Sequence, residues 1–176
     1  LAIPAELLTE EVFKELEEEG YQVSYLPVNE NHEIDIDIFS KTLQNDTILV
    51  SMMSVNNETG SILNIKEIYE ICKKRNITLH SDFAQGFLKT DLDLMKYCDM
   101  FTISSHKIHG LKSVAGLIYN KNMNLMPILL GGNQEYGVRS STVDVPLIAS
   151  FYKAIEKNFK EKNQKYSGIA EIFDYC

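Results

Sequence analysis

The chain has 176 residues, enough to bury one sizeable core, and that length argues for one domain or most of one. Seventeen basic against 25 acidic residues give a formal charge of −8, which disfavours nucleic acid as a partner because a phosphate backbone wants a basic face. No apolar run approaches the roughly 20 residues needed to cross a bilayer, and the opening Leu-Ala-Ile-Pro lacks the basic start of a signal peptide.

In chain order, residues 6–19 carry Leu7, Leu8, Val12, Phe13 and Leu16 at helical spacing, which predicts a helix stopped by Gly20. Tyr21–Val28 alternates as a strand, and Asp35–Leu43 reads as a short amphipathic helix. The run Thr47–Met53 is nearly all apolar, as expected of a strand covered on both faces. Asn64 is expected to cap a helix through Arg75, with Ile65, Ile68, Tyr69 and Cys72 on one side. Strand Ile77–His80, short helix Leu92–Tyr97 and strands Met100–Ile103 and Val114–Tyr119 follow. A last helix spans about Pro146–Lys162, and the polar stretch 163–176 reads as a loosely held tail beyond a domain of residues 1–162. The alternating order predicts an α/β fold with a mainly parallel sheet and helices on both faces. Cys72, Cys98 and Cys176 have no metal-type spacing, so no metal site is expected. Their odd number fits a reducing compartment, the cytoplasm or an organelle. A first residue of leucine suggests that the chain begins inside a longer reading frame.

In open α/β sheets, ligands collect beyond the C-terminal ends of the strands. Three predicted strands end in polar clusters: Asn56-Asn57-Glu58-Thr59-Gly60, His80-Ser81-Asp82-Phe83-Ala84-Gln85 and Ser104-Ser105-His106-Lys107. Asn56, Asp82 and Lys107 fall 26 and 25 residues apart, each step one βα unit. On neighbouring strands they would face one pocket. A lysine among hydroxyls and an imidazole can form a Schiff base with an aldehyde cofactor. A strand-end carboxylate, Asp82, can hold a pyridine nitrogen protonated. Gln85 and Asn56 can bond a phenolic oxygen, and Ser104, Ser105 and His106 can bond a phosphate. Together these describe a site for pyridoxal 5′-phosphate. Each residue also has a plainer use: Asp82 as a helix N-cap, Asn56-Asn57 as a turn pair, His106 as an exposed loop histidine, His80 as a packed residue with a backbone partner.

At these residues the sequence resembles the cysteine desulfurases of the class V aminotransferase-like family, from about Glu11 to Ala154. Beside the three clusters, the likeness includes Glu17-Glu18-Glu19-Gly20-Tyr21, Asp46-Thr47-Ile48-Leu49-Val50-Ser51 and the stretch from Gly131 to Thr142. It implies the large domain of a pyridoxal-phosphate-dependent transferase and a homodimer. Lys107 would then be the catalytic residue that binds the cofactor, with Asp82 at the ring nitrogen and Gln85 and Asn56 at the phenolic oxygen. Ser104 and His106 would meet the phosphate, joined by Thr142 from the partner subunit. The implied reaction takes sulfur from L-cysteine, leaves alanine, and feeds iron–sulfur clusters or tRNA thiolation through an acceptor protein. A selenocysteine lyase, a small-amino-acid aminotransferase and a non-catalytic remnant or scaffold are the other readings. The family's phosphate loop would precede Leu1, and its persulfide cysteine and substrate arginine would follow Cys176, so a truncated chain without activity of its own is expected. Glu6, Phe83, Leu111, Asn133, Tyr136 and Ser141 depart from the family pattern.

Overall fold

The computed structural model describes residues 2–4, 10–90, 92–127 and 129–175. Contacts divide the chain into two compact units, Leu1–Ile103 and Ser104–Cys176.

The first unit carries β1 (Ala2–Pro4), α1 (Glu10–Glu18), β2 (Ser24–Leu26), α2 (Ile36–Thr42), β3 (Leu49–Met53), α3 (Ile65–Lys74), β4 (Thr78–Asp82) and β5 (Met100–Ser104), the last residue of β5 opening the second unit. Its strands lie in the order β2-β1-β3-β4-β5, and every neighbouring pair is parallel. Parallel neighbours need a crossover between them. Helix α3 supplies the one between β3 and β4, and a 3₁₀ helix, Leu92–Tyr97, supplies the one between β4 and β5. The apolar run on β3 is covered on both faces, with Val50, Ser51 and Met52 all buried.

Helix α3 shows the expected three-four spacing, and Ile65, Ile68 and Cys72 are each 1% exposed or less. Asn64 does stand at its N-cap, but its side chain makes no capping bond. The amide instead donates to Glu67 Oε2 at 2.9 Å. Asp35 caps α2 properly, its Oδ1 accepting from Asp37 and Ile38 N–H. Gly20, at φ +97°, ends α1 as expected, with Tyr21 N–H reaching back to Leu16 C=O at 3.0 Å. The helix start expected at residues 6–9 lies outside the described residues.

Two charged residues tie elements together. Asp99 accepts from Lys73 Nζ at 2.7 Å and from Leu79 N–H at 3.0 Å, joining the end of α3 to β4. Arg75 donates to Leu43 C=O and Ser40 Oγ, both at 3.1 Å, joining it to α2.

Several boundaries differ from the sequence reading. Only Ser24–Leu26 of the expected strand Tyr21–Val28 joins the sheet, because its partner β1 offers three residues and Pro27 has no N–H to extend the ladder; Val28 instead makes an isolated antiparallel bridge with Ile34. Strand β4 runs two residues beyond His80, to Asp82. Strand β1 has no periodic signature at all, being three residues long.

The second unit holds a 3₁₀ turn, Ser105–Ile108, then β6 (Ala115–Tyr119), a second 3₁₀ turn (Glu135–Gly137) and α4 (Val145–Tyr175). The stretch 163–175, expected to be a loose tail, is helical. Its polar composition conceals a repeat: Tyr166, Ile169 and Phe173 continue the spacing begun by Ile148, Tyr152, Ile155 and Phe159. Of the departures noted in the sequence, Phe83 is fully buried edge-to-face on Phe101 at 5.5 Å, a core position. Asn133 adopts φ +59°, a conformation that asparagine tolerates better than most residues. Glu6 lies outside the described residues.

Replacing Asp99 with alanine removes a carboxylate that satisfies a strand N–H and an ammonium at once. The Asp99→Ala variant is expected to lose about 1–3 kcal/mol, read as a lower urea midpoint with an unchanged slope.

Candidate cofactor site

Asn56 follows the C-terminal end of β3 and Asp82 is the last residue of the adjacent parallel β4, in register with Met53. The Asp82 carbonyl accepts two bonds from Ser54, from N–H at 2.8 Å and from Oγ–H at 3.0 Å. Phe83 N–H donates to Thr102 C=O at 2.9 Å, so the backbone is held on both sides of this point. The half-buried Asp82 side chain accepts from Ala84 N–H at 2.7 Å through Oδ1. It therefore begins a turn, close to its plainer use, while Oδ2 keeps its own acceptor capacity. The next residues wind through a tight turn in which Phe87 N–H reaches Phe83 C=O. Gly86 is needed there: a Cβ would stand 2.6 Å from Ser54 Oγ and 3.3 Å from Phe83 and Val55.

Asn56 organises its loop. Its Oδ1 accepts from Glu58 and Thr59 N–H, each at 2.8 Å, which is the turn role considered for it. Gln85 Oε1 accepts from Lys89 Nζ at 3.3 Å. In Gln85 the carbonyl oxygen is directed into the chain, which leaves its NH₂ group as the kind of donor a ligand oxygen would meet. A cavity of about 260 Å³ opens beside the Asn56 loop, walled by Val28, Ile34, Met53, Ile62 and Ile68. Neither Asp82 nor Gln85 lines it.

In the second unit, Ser104 precedes the 3₁₀ turn that carries Lys107. Residues three apart eclipse one another in 3₁₀ geometry, and Ser105 and Ile108 are both buried, at 0% and 1% exposure. His106 is exposed and Lys107 half-buried. Ser104 Oγ and His106 Nδ1 are 2.9 Å apart. Lys107 has no carboxylate partner among the described residues. The turn closes on His109 at φ +65°, whose N–H returns to Ser105 C=O. Helix α4 braces it: Asn158 Nδ2 donates to Ile108 C=O at 2.7 Å and to Ala154 C=O at 2.8 Å. Ser105, expected to offer a donor to a phosphate, faces inward in this turn. Its hydroxyl is buried without a hydrogen-bond partner, packed where a Cβ on Gly110 would collide with it. Thr142 is exposed, shortly before Asp144 caps Leu147 N–H at 3.0 Å.

His80 finds a side-chain partner rather than a backbone one, its Nδ1 standing 2.7 Å from Ser51 Oγ. Burial pulls its pKa below the usual histidine value, and the nearby Asp82 charge opposes that shift. No sequence motif singled out Ser51, Ser54 or Gly86; a polar residue in an otherwise apolar buried strand was the available signal for the first. Burial pushes the thiols of Cys72 and Cys98 up to about 12, with the Asp99 charge adding to the effect. Cys98 also donates to Met95 C=O at 3.3 Å. Both are protonated near neutrality and neither is a nucleophile. Cys176 lies outside the described residues. The described residues contain no cluster of histidine, cysteine and carboxylate groups able to hold a metal ion, and no helix long and apolar enough to cross a membrane.

A parallel α/β sheet with a carboxylate and amides at its strand ends is the pattern of a fold that collects ligands at that edge. The chain belongs to the aminotransferase class-V family, whose model matches residues 9–156; this is a family of pyridoxal 5′-phosphate-dependent enzymes. It is 40% identical over 162 residues to the cysteine desulfurase IscS of Rickettsia typhi, covering 90% of this chain and 40% of that protein. Among solved structures, a NifS-like protein from Rickettsia africae superposes with a TM-score of 0.89 at 29% identity, covering 99% of this chain and 49% of that one. A second NifS-like protein gives a TM-score of 0.87 at 32% identity over 93% of this chain and 46% of its own. The fold is thus that of the NifS-like enzymes, and the chain spans about 40% of the length of the curated relatives it matches.

Two outcomes follow for the supporting residues. Gly110→Ala should destabilise the protein by about 1–3 kcal/mol through overpacking against Ser105 and Ala154, measured by urea denaturation. In a Cys176→Ser background, Cys72 and Cys98 should resist a thiol reagent in the native protein and react fully after unfolding. Rapid native labelling of either would contradict its burial.

Proposed function

We propose that the chain is the cofactor-binding part of a pyridoxal 5′-phosphate-dependent cysteine desulfurase, which takes sulfur from L-cysteine and leaves alanine. One observation carries this reading: Lys107 is half-buried, without a carboxylate partner among the described residues, in a chain 40% identical to a cysteine desulfurase across 90% of its length. A lysine held this way is available for covalent chemistry, whereas a structural lysine on such a turn would ordinarily be solvated or paired.

The donor set fits the cofactor group by group. Bound pyridoxal 5′-phosphate supplies an electron sink for bond cleavage at the amino-acid carbon. Lys107 would hold the cofactor through Nζ and would serve as the group that moves a proton. Asp82, steadied at Oδ1 by Ala84 N–H, keeps the ring nitrogen protonated. The amides of Gln85 and Asn56 would donate to the phenolic oxygen, the Gln85 carbonyl oxygen being directed to Lys89. Ser104 and His106 bind the phosphate, and Thr142 reaches a phosphate held by a second copy of the chain in a homodimer. Ser105 supports the turn from inside.

The persulfide belongs to a thiol other than Cys72 or Cys98, since neither becomes a thiolate near neutral pH. From there the sulfur passes to an acceptor protein for iron–sulfur cluster assembly or tRNA thiolation, in the reducing cytoplasm. A second reading, a cofactor-holding chain without desulfurase turnover of its own, rests on those same protonated thiols.

Incubation with pyridoxal 5′-phosphate followed by borohydride should leave a stable mass gain on the peptide containing Lys107. Lys107→Ala should show none, while Lys112→Ala keeps it. Absence of the adduct in the unmodified chain would overturn the assignment. With L-cysteine, the Cys176→Ser variant of this chain should release only trace sulfide; sustained production over many turnovers would refute the second reading and the exclusion of Cys72 and Cys98.

A further inference from the structure

His80 is a half-buried titratable group that the roles above leave unused. It sits in the middle of β4, two residues before Asp82, so strand alternation turns both side chains to one face of the sheet. Ser51, its cross-strand neighbour on β3, shares that face, and Ser51 Oγ stands 2.7 Å from His80 Nδ1. On the other side, β5 sets Met100 opposite His80 and Thr102 opposite Asp82, neither of them charged. Asp99, at the far end of the strand, is already engaged by Lys73 Nζ and Leu79 N–H. Among these neighbours, Asp82 is the one charge acting on the imidazole.

We propose that the Ser51–His80 pair is a positioning device for Asp82: it sets a neutral imidazole, not a cation, beside the carboxylate, so that the negative charge is reserved for the cofactor's ring nitrogen. This role rests on the cofactor assignment made above. In the neutral ring Ser51 O–H donates to Nδ1, whereas a protonated ring would turn the contact round, with Nδ1–H donating to Ser51 Oγ. Burial favours the neutral ring, and the Asp82 charge opposes it. Were His80 protonated, Asp82 would acquire a fixed counter-charge two residues away on its own strand. A pyridinium would then be drawn to a partly neutralised carboxylate, and would bind more weakly.

Imidazole C–H signals in the cofactor-free chain test the pair directly. Asp82→Asn should move His80 titration to lower pH. Pyridoxal 5′-phosphate binding is then followed as pH falls through the measured His80 titration. The wild type should lose about tenfold more affinity than His80→Gln. That excess should vanish for the analogue carrying CH in place of the ring nitrogen. Parallel affinity profiles for wild type and His80→Gln, or the same excess with the analogue, would overturn the positioning role while leaving the cofactor assignment intact. A His80 titration indifferent to Asp82→Asn would overturn it as well, without reference to any cofactor. Failure of the wild type to bind pyridoxal 5′-phosphate at any pH would overturn the cofactor assignment and this role together. A merely structural histidine would show none of the ring-nitrogen dependence.

Discussion

Two donors of one residue converge on a single carbonyl: Ser54 N–H and Ser54 O–H both reach Asp82 C=O, at 2.8 and 3.0 Å. That convergence locks the end of β3 to the end of β4 at the point where the candidate site begins. Met53 and Asp82 are in register there, and Phe83 N–H ties the other side to Thr102 of β5. Three strands thus hold the backbone from which the Asp82 carboxylate projects. The same serine explains Gly86, since any larger residue would crowd the hydroxyl that makes one of these bonds. A side chain on a strand end clamped in this way can act as a fixed charge, which is what the role proposed for Asp82 requires.

The second unit solves a similar problem by a different means. Lys107 stands on a single 3₁₀ turn, too short to be stable by its own hydrogen bonds. Burying Ser105 and Ile108, closing the backbone on His109 and bracing Ile108 C=O from Asn158 supply what the turn lacks. The unsatisfied Ser105 hydroxyl is the cost of that packing. An alanine would fill much of the same space, so the serine itself has no evident structural gain here.

Much of the fold was legible from spacing. Helix α3, the two-sided burial of β3 and the stop at Gly20 each follow from a local pattern with one physical meaning. The candidate site was legible as a set of residue types at strand ends, among them Asp82, Asn56 and Lys107. What escaped was whatever depends on neighbours distant in sequence. Strand β1 is three residues long and exists only because β2 and β3 flank it. Asn64 has the identity of a cap, yet Glu67 three residues on offers its amide a better partner. Helix α4 continues past Lys162 because an apolar repeat runs beneath a polar composition.

Residue identity and periodicity alone determined the α/β class, the order of the major elements and the inventory of groups able to serve a pyridine ring. These properties are local, set by side-chain chemistry and by repeats of two and 3.6 residues. Only the tertiary structure decided which hydroxyl turns inward at Ser105, why Cys72 and Cys98 stay protonated and how Ser51 meets His80 beside Asp82. Burial and cross-strand register are relations between segments 20 or more residues apart, and the dielectric surroundings they create have no counterpart in a one-dimensional pattern.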